Sequence, residues 1–184
     1  MSQRVLQRFM LRHATKIVTG LVAGISLSVT AQQTPLQPGE PLQYKVARLA
    51  AHEGNTMTLD DGSVWQTNMQ HFGLTGNLIL LSGRNLRSGS NELLLNGFTL
   101  SATYKQGTLN AQQGFKLTLL AALADGKRLT LSDNLTAFVL DSDRRFSRNW
   151  QANNKVILSE DRRSLLYLPN LQQISVQITQ TAIP

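Results

Sequence analysis

The chain has 184 residues, no cysteine and a formal net charge of +7. The lack of cysteine excludes a disulfide-stapled scaffold, a thiol nucleophile and Cys-ligated zinc. The charge shrinks once the N-terminus is set aside: Arg4, Arg8, Arg12 and Lys16 carry four of the 18 basic residues, and the other 14 against 11 acidic residues leave +3, too little for a nucleic-acid footprint.

Residues 1–31 read as a secretory signal peptide. The four basic side chains form its positive end, residues 17–29 are uncharged, and Val29-Thr30-Ala31 supplies the small residues of a cleavage position. A retained anchor is the alternative, but 13 residues rise only about 20 Å as a helix against roughly 30 Å of hydrocarbon. Export to the periplasm or the medium is therefore expected, with no transmembrane span in the mature chain. Pro35, Pro38 and Pro41 make residues 32–41 an extended linker.

Beyond the linker the pattern is that of short strands and tight turns. Leu42, Tyr44 and Val46 alternate with Gln43, Lys45 and Ala47, the period of a strand with one buried face. Glu53-Gly54-Asn55 turns the chain, residues 56–59 return it, and Asp61-Gly62 favours a hairpin because both residues tolerate positive φ. Strands follow at residues 64–66, 78–81 and 92–95, with a basic loop carrying Arg84 and Arg87 before the last of them. Asn96-Gly97 then leads into Phe98, Leu100, Ala102 and Tyr104, which alternate with polar residues.

The polar stretch at residues 106–114 marks a boundary. Residues 115–124 form a long apolar strand, with a buried helix as the competing reading; Asp125-Gly126 and the alternating residues 128–131 favour the strand. Single helical turns are expected near residues 68–72 and 144–151.

The second half repeats the first. Residues 49–61 match residues 121–133 at a spacing of 72, with Ala50, Gly54, Thr58, Leu59 and Asp61 recurring as Ala122, Gly126, Thr130, Leu131 and Asp133. Residues 137–140 parallel 64–66, placing Phe138 where Trp65 stands. The spacing becomes 77 for Leu80-Leu81-Ser82 against Ile157-Leu158-Ser159, and returns to 72 for Leu93-Leu94 against Leu165-Leu166. The expectation is an all-β protein of two tandem SH3-like or OB-like barrel units of about five short strands each, at residues 42–108 and 109–184; a single β-sandwich is the rival.

Catalytic constellations are missing from the sequence. Only His52 and His71 follow the leader, no paired-histidine metal spacing occurs, and Ser132-Asp133-Asn134 lacks the partners that would make it an active-site triplet. Asp60, Asp61, Asp141 and Asp143 are the carboxylates that a small envelope-glycan hydrolase would need. The leading expectation is instead a non-catalytic binding or assembly module of a bacterial envelope, without cofactor or metal; a secreted effector or inhibitor that binds another protein is a further alternative.

The binding candidates are Arg144, Arg145, Arg148 and Trp150, with Arg162 and Arg163. Guanidinium groups bind phosphate and carboxylate through two parallel hydrogen bonds and stack on rings, which suits an anionic glycan, a lipid headgroup or an acidic envelope protein. Alternatively, Phe146 and Trp150, four residues apart, anchor the loop in the core while the arginines face water. Residues 59–65, Leu-Asp-Asp-Gly-Ser-Val-Trp, are similar to the strand, Asp-Gly-Ser, strand arrangement of small exported bacterial β proteins.

Overall fold

The computed structural model describes residues 38–68 and 75–180, which fall in one compact unit. The leader, most of the linker and all but Asn68 of the helical turn expected near residues 68–72 lie outside them. Twelve strands follow in order: β1 (Glu40–Glu53), β2 (Thr56–Leu59), β3 (Val64–Thr67), β4 (Leu78–Gly83), β5 (Asn91–Leu95), β6 (Phe98–Gln106), β7 (Gln112–Leu123), β8 (Arg128–Leu131), β9 (Leu135–Val139), β10 (Lys155–Ser159), β11 (Ser164–Tyr167) and β12 (Gln172–Gln180). One turn of helix, α1 (Arg144–Ser147), precedes β10. The protein is all-β, and residues 115–124 form a strand rather than a helix over all but the last position.

The sheet closes twice. β1-β2-β3-β6-β5-β4 forms a ring because β4 pairs with β1, and β7-β8-β9-β12-β11-β10 forms another because β10 pairs with β7. Each ring has six strands, one more than expected, and closure removes the long unpaired edges that a sandwich would leave. Each barrel has its own apolar core, with Leu49, Leu59, Trp65, Ile79 and Leu93 in the first and Leu119, Leu131, Trp150, Val156 and Leu165 in the second.

The registers of the two barrels agree strand by strand. Lys45–Leu81 in the first is answered by Phe115–Leu158 in the second, Leu81–Leu93 by Leu158–Leu165, Leu93–Leu100 by Leu165–Ile174, Trp65–Tyr104 by Ala137–Ile178 and Thr58–Val64 by Thr130–Thr136. Both long first strands carry an irregularity at the same place, between Leu49 and Ala51 and between Leu119 and Ala121. The two halves are structural copies.

Two details of the sequence alignment change. Leu49 corresponds to Leu119, a spacing of 70, because the turn after β7 (residues 124–127) is two residues longer than that after β1 (residues 54–55). Ala50 and Gly54 are therefore not the counterparts of Ala122 and Gly126, whereas Thr58, Leu59 and Asp61 keep theirs. Trp65 corresponds to Ala137, not to Phe138, since Phe138 is one residue out of phase and faces solvent at 39% exposure. The second barrel has its own buried tryptophan, Trp150, which comes from the segment after β9 and stacks on Tyr167 at 4.6 Å.

The barrels join through the first residues of their long strands. Gln43 pairs with Gln113, its own counterpart, so a pseudo-twofold axis passes between them. Pro41 lies in this pairing just before β4 joins the other side of β1, an edge position that tolerates its missing N–H. Leu42, Tyr44, Leu80, Ile157 and Leu166 form a third core at the junction. The alternation in β1 thus serves two cores: Lys45, Ala47 and Leu49 point into the barrel, Leu42 and Tyr44 into the junction, and Val46 reaches solvent. β4 and β10 read as unbroken apolar runs because one face lines a barrel and the other lines the junction.

Candidate functional site

The residues singled out from the sequence divide between core and surface. Trp150 is buried, its face covered by Tyr167 and its Nε1 donating to Gln172 Oε1 at 3.4 Å. Phe146 packs against the same core, and α1 is fixed by Ser147, whose hydroxyl donates to the Gly126 carbonyl at 2.7 Å. Asp143 accepts from the Ser175 N–H at 2.7 Å. Arg144 lies between Asp141 and Asp125, at 3.5 and 4.0 Å. Arg145 is exposed over the Phe146 ring, 4.6 Å from its centroid, and Arg148 and Arg163 are exposed. Arg162 is half-buried in a left-handed turn position, with φ 59°. The two arginine groups approach the same strand: Asp143 and the Arg163 carbonyl bind the adjacent N–H groups of Ser175 and Val176. Trp150 itself is not among the surface groups they offer.

The hydrolase carboxylates are not assembled. Asp60 and Asp61 lie in the β2–β3 turn of the first barrel, and Asp141 and Asp143 in the loop before α1 of the second. Asp61 is already committed: it binds the buried Lys45 ammonium and accepts from the Ser63 N–H at 3.0 Å and the Ser63 hydroxyl at 2.7 Å. Burial pushes its pKa up, but the hydrogen bonds from Lys45 and Ser63 outweigh that and hold it below the usual carboxylate value. The Ser63 hydroxyl in turn accepts from Trp65 Nε1 at 3.1 Å. In the second barrel Phe115, Leu135 and Ala137 replace Lys45, Ser63 and Trp65, so the polar chain belongs to one copy alone.

A cleft lies at the junction, and no motif in the sequence marks it. It has a volume of about 460 Å³ and opens to solvent between Tyr44 of the first barrel and Gln112, Gln113, Asp161, Ser164 and Gln173 of the second. The β10–β11 turn forms one wall. Asp161 Oδ1 accepts from the Ser159 hydroxyl at 2.6 Å and from the Arg163 N–H at 3.0 Å, and these two bonds hold its pKa below the usual value. Ser164 Oγ accepts from Gln173 Nε2 at 3.0 Å. Burial raises the Tyr44 pKa, with a further contribution from the Asp161 charge.

The pseudo-twofold axis generates a second cleft of about 110 Å³, lined by Pro41, Leu42, Ser82, Gly83, Arg84 and Glu92 together with Glu40 and Lys116. Ser82, Gly83, Arg84 and Glu92 are the counterparts of Ser159, Glu160, Asp161 and Ser164. Here Lys116 pairs with Glu92 at 2.9 Å across the junction. The visible signal in the sequence was the contrast between Ser82-Gly83-Arg84 and Ser159-Glu160-Asp161, which only the spacing of 77 brings into line.

Among the described residues no three His, Cys, Asp or Glu side chains group as a metal site requires, and no helix is long and apolar enough to cross a membrane. Comparison with family models, with curated proteins and with solved structures found no match to this chain.

Proposed function

We propose that the protein is an exported component of a bacterial envelope that works as a non-catalytic binding module, with its ligand seated in the junction cleft. The observation that carries this reading is the cleft itself: about 460 Å³, open to solvent and walled by polar side chains of one barrel and a tyrosine of the other. That volume lies within the roughly 300–1,000 Å³ of small-molecule sites. The leader-like residues 1–31 support export. Sedimentation of the mature protein with isolated envelope fractions tests it. The wild type is expected in the pellet and an Asp161→Ala, Gln112→Ala double variant of equal thermal stability in the supernatant; a wild type that stays in the supernatant rejects the reading.

A second reading uses the arginine surface. Arg145, Arg148 and Arg163 are exposed on a frame pinned by Ser147 and Asp143, so an anionic glycan, a lipid headgroup or an acidic envelope protein would meet guanidinium groups held in place. Loss of pelleting on Arg145→Ala and Arg148→Ala, with the cleft double variant unaffected, would favour this surface over the cleft.

A further inference from the structure

We infer that the junction cleft takes an uncharged saccharide unit, which donates hydrogen bonds to Asp161 and exchanges them with Ser164, Gln173, Gln112 and Gln113. This rests on the reading of the cleft as the binding site and adds the chemistry of what it binds.

The lining decides the charge of the ligand first. No lysine or arginine side chain lines the cleft, and two carboxylates, Glu160 and Asp161, do. A phosphate, sulfate or carboxylate would enter against like charge with nothing to neutralise it. The cleft therefore disfavours anionic ligands.

The hydrogen-bonding inventory then favours hydroxyl groups. Both internal bonds to Asp161 end on Oδ1, which leaves Oδ2 to accept from a ligand. Ser164 Oγ is an acceptor for Gln173 Nε2, so its own proton remains to donate, and Gln173 Oε1 remains to accept. Gln112 and Gln113 are exposed and each carry a donor and an acceptor. A wall on which acceptors and donors alternate suits groups that donate and accept at once, as every sugar hydroxyl does. Tyr44, largely buried in the junction core, and Ala111 complete the lining.

The mate cleft provides the contrast. Its positions equivalent to Asp161 and Ser164 are Arg84 and Glu92, and the Lys116–Glu92 ion pair at 2.9 Å spans it. The fold has two such clefts, and only this one presents an open hydrogen-bonding wall with no lysine or arginine in it.

Calorimetric titration of the mature protein with neutral tetrasaccharides of glucose, galactose, mannose and N-acetylglucosamine is the test. Heparin fragments, trilysine and vesicles containing phosphatidylglycerol serve as charged comparators, and every variant's thermal midpoint is measured alongside. At least one neutral tetrasaccharide is expected to bind, with Asp161→Ala and, separately, Gln173→Ala weakening it by about tenfold or more, as loss of a hydrogen bond to a fixed partner does. Trilysine binding that is lost in the same variants, with no saccharide binding, overturns the saccharide assignment and leaves the cleft as the site. Heparin or vesicle binding that ignores these variants, with no saccharide binding, also overturns it. If no tetrasaccharide binds or competes while envelope fractions still pellet the wild type, the saccharide inference fails and the binding-module reading stands; if the fractions pellet nothing, both fail.

Discussion

Tyr44 and Gly114 occupy equivalent positions in the two barrels and meet beside the pseudo-twofold axis. A Cβ on Gly114 would lie 3.0 Å from Tyr44 Cε1 and 2.5 Å from the Leu158 carbonyl oxygen. Two tyrosines could not share this junction, so the copies had to diverge here: one supplies the ring and the other the space for it. That difference places an aromatic side chain at one cleft of the pair and not at the other.

Gly114→Ala should destabilise the protein by about 1–3 kcal/mol, the cost of overpacking a dense site. Chemical denaturation measures it. Tyr44→Gly in the same chain should not restore stability, because the Leu158 carbonyl remains in the way.

Breaking the Lys45–Asp61 pair should be asymmetric. Lys45 is buried and Asp61 is partly exposed, so Asp61→Ala strands a buried ammonium and Lys45→Met leaves a carboxylate that water reaches. Stranding a buried charge costs about 3–5 kcal/mol, here toward the lower end because Asp61 is partly solvated. The apolar solution already present in the second barrel, with Phe115 at the equivalent position, predicts that Lys45→Met costs less. Equal losses in urea unfolding would contradict this.

The same pair sets an acid limit. The folded-state pKa of Asp61 is depressed, so its contribution is complete above the unfolded carboxylate pKa and disappears as pH falls through the folded value. Stability measured from pH 6 down to pH 2 should fall less steeply in Asp61→Asn than in the wild type. Parallel profiles would show that the pair contributes nothing to acid sensitivity.

Trp150 and Arg148 separate the two roles offered by their loop. Trp150→Ala removes a buried ring stacked on Tyr167 and should cost about 3–5 kcal/mol. Arg148→Ala should stay within about 0.5 kcal/mol, as exposed substitutions do. Comparable losses from both would refute the assignment of the tryptophan to the core and the arginine to solvent.

Processing can be checked directly. Expression in a bacterial host and intact mass measurement of the exported product should give a chain beginning at Gln32; a chain retaining residues 1–31 would contradict signal cleavage.

Strands and turns were legible because they depend on local chemistry: Asp61-Gly62 and Asn96-Gly97 mark hairpins wherever they occur. The duplication was legible too, but its register was not. Gly54 and Gly126 both occupy turns, yet of unequal length, and composition cannot reveal that the turn at residues 124–127 slips the preceding strand by two. Trp150 stands among arginines in the sequence, whereas the fold buries it against Tyr167 of β11, a partner that sequence spacing does not point to. The cleft was invisible because Tyr44, Gln112, Asp161 and Gln173 lie far apart in sequence and carry no motif. They meet only because Gln43 pairs with Gln113 and the barrels close on either side.

The most direct measurement of the cleft's role is a backbone-amide NMR titration of the mature protein with soluble envelope glycan. Perturbations centred on Gln112, Gln113, Asp161, Ser164 and Gln173 are the predicted result. Perturbations confined to Arg145, Arg148 and Arg163, with the cleft silent, would contradict it.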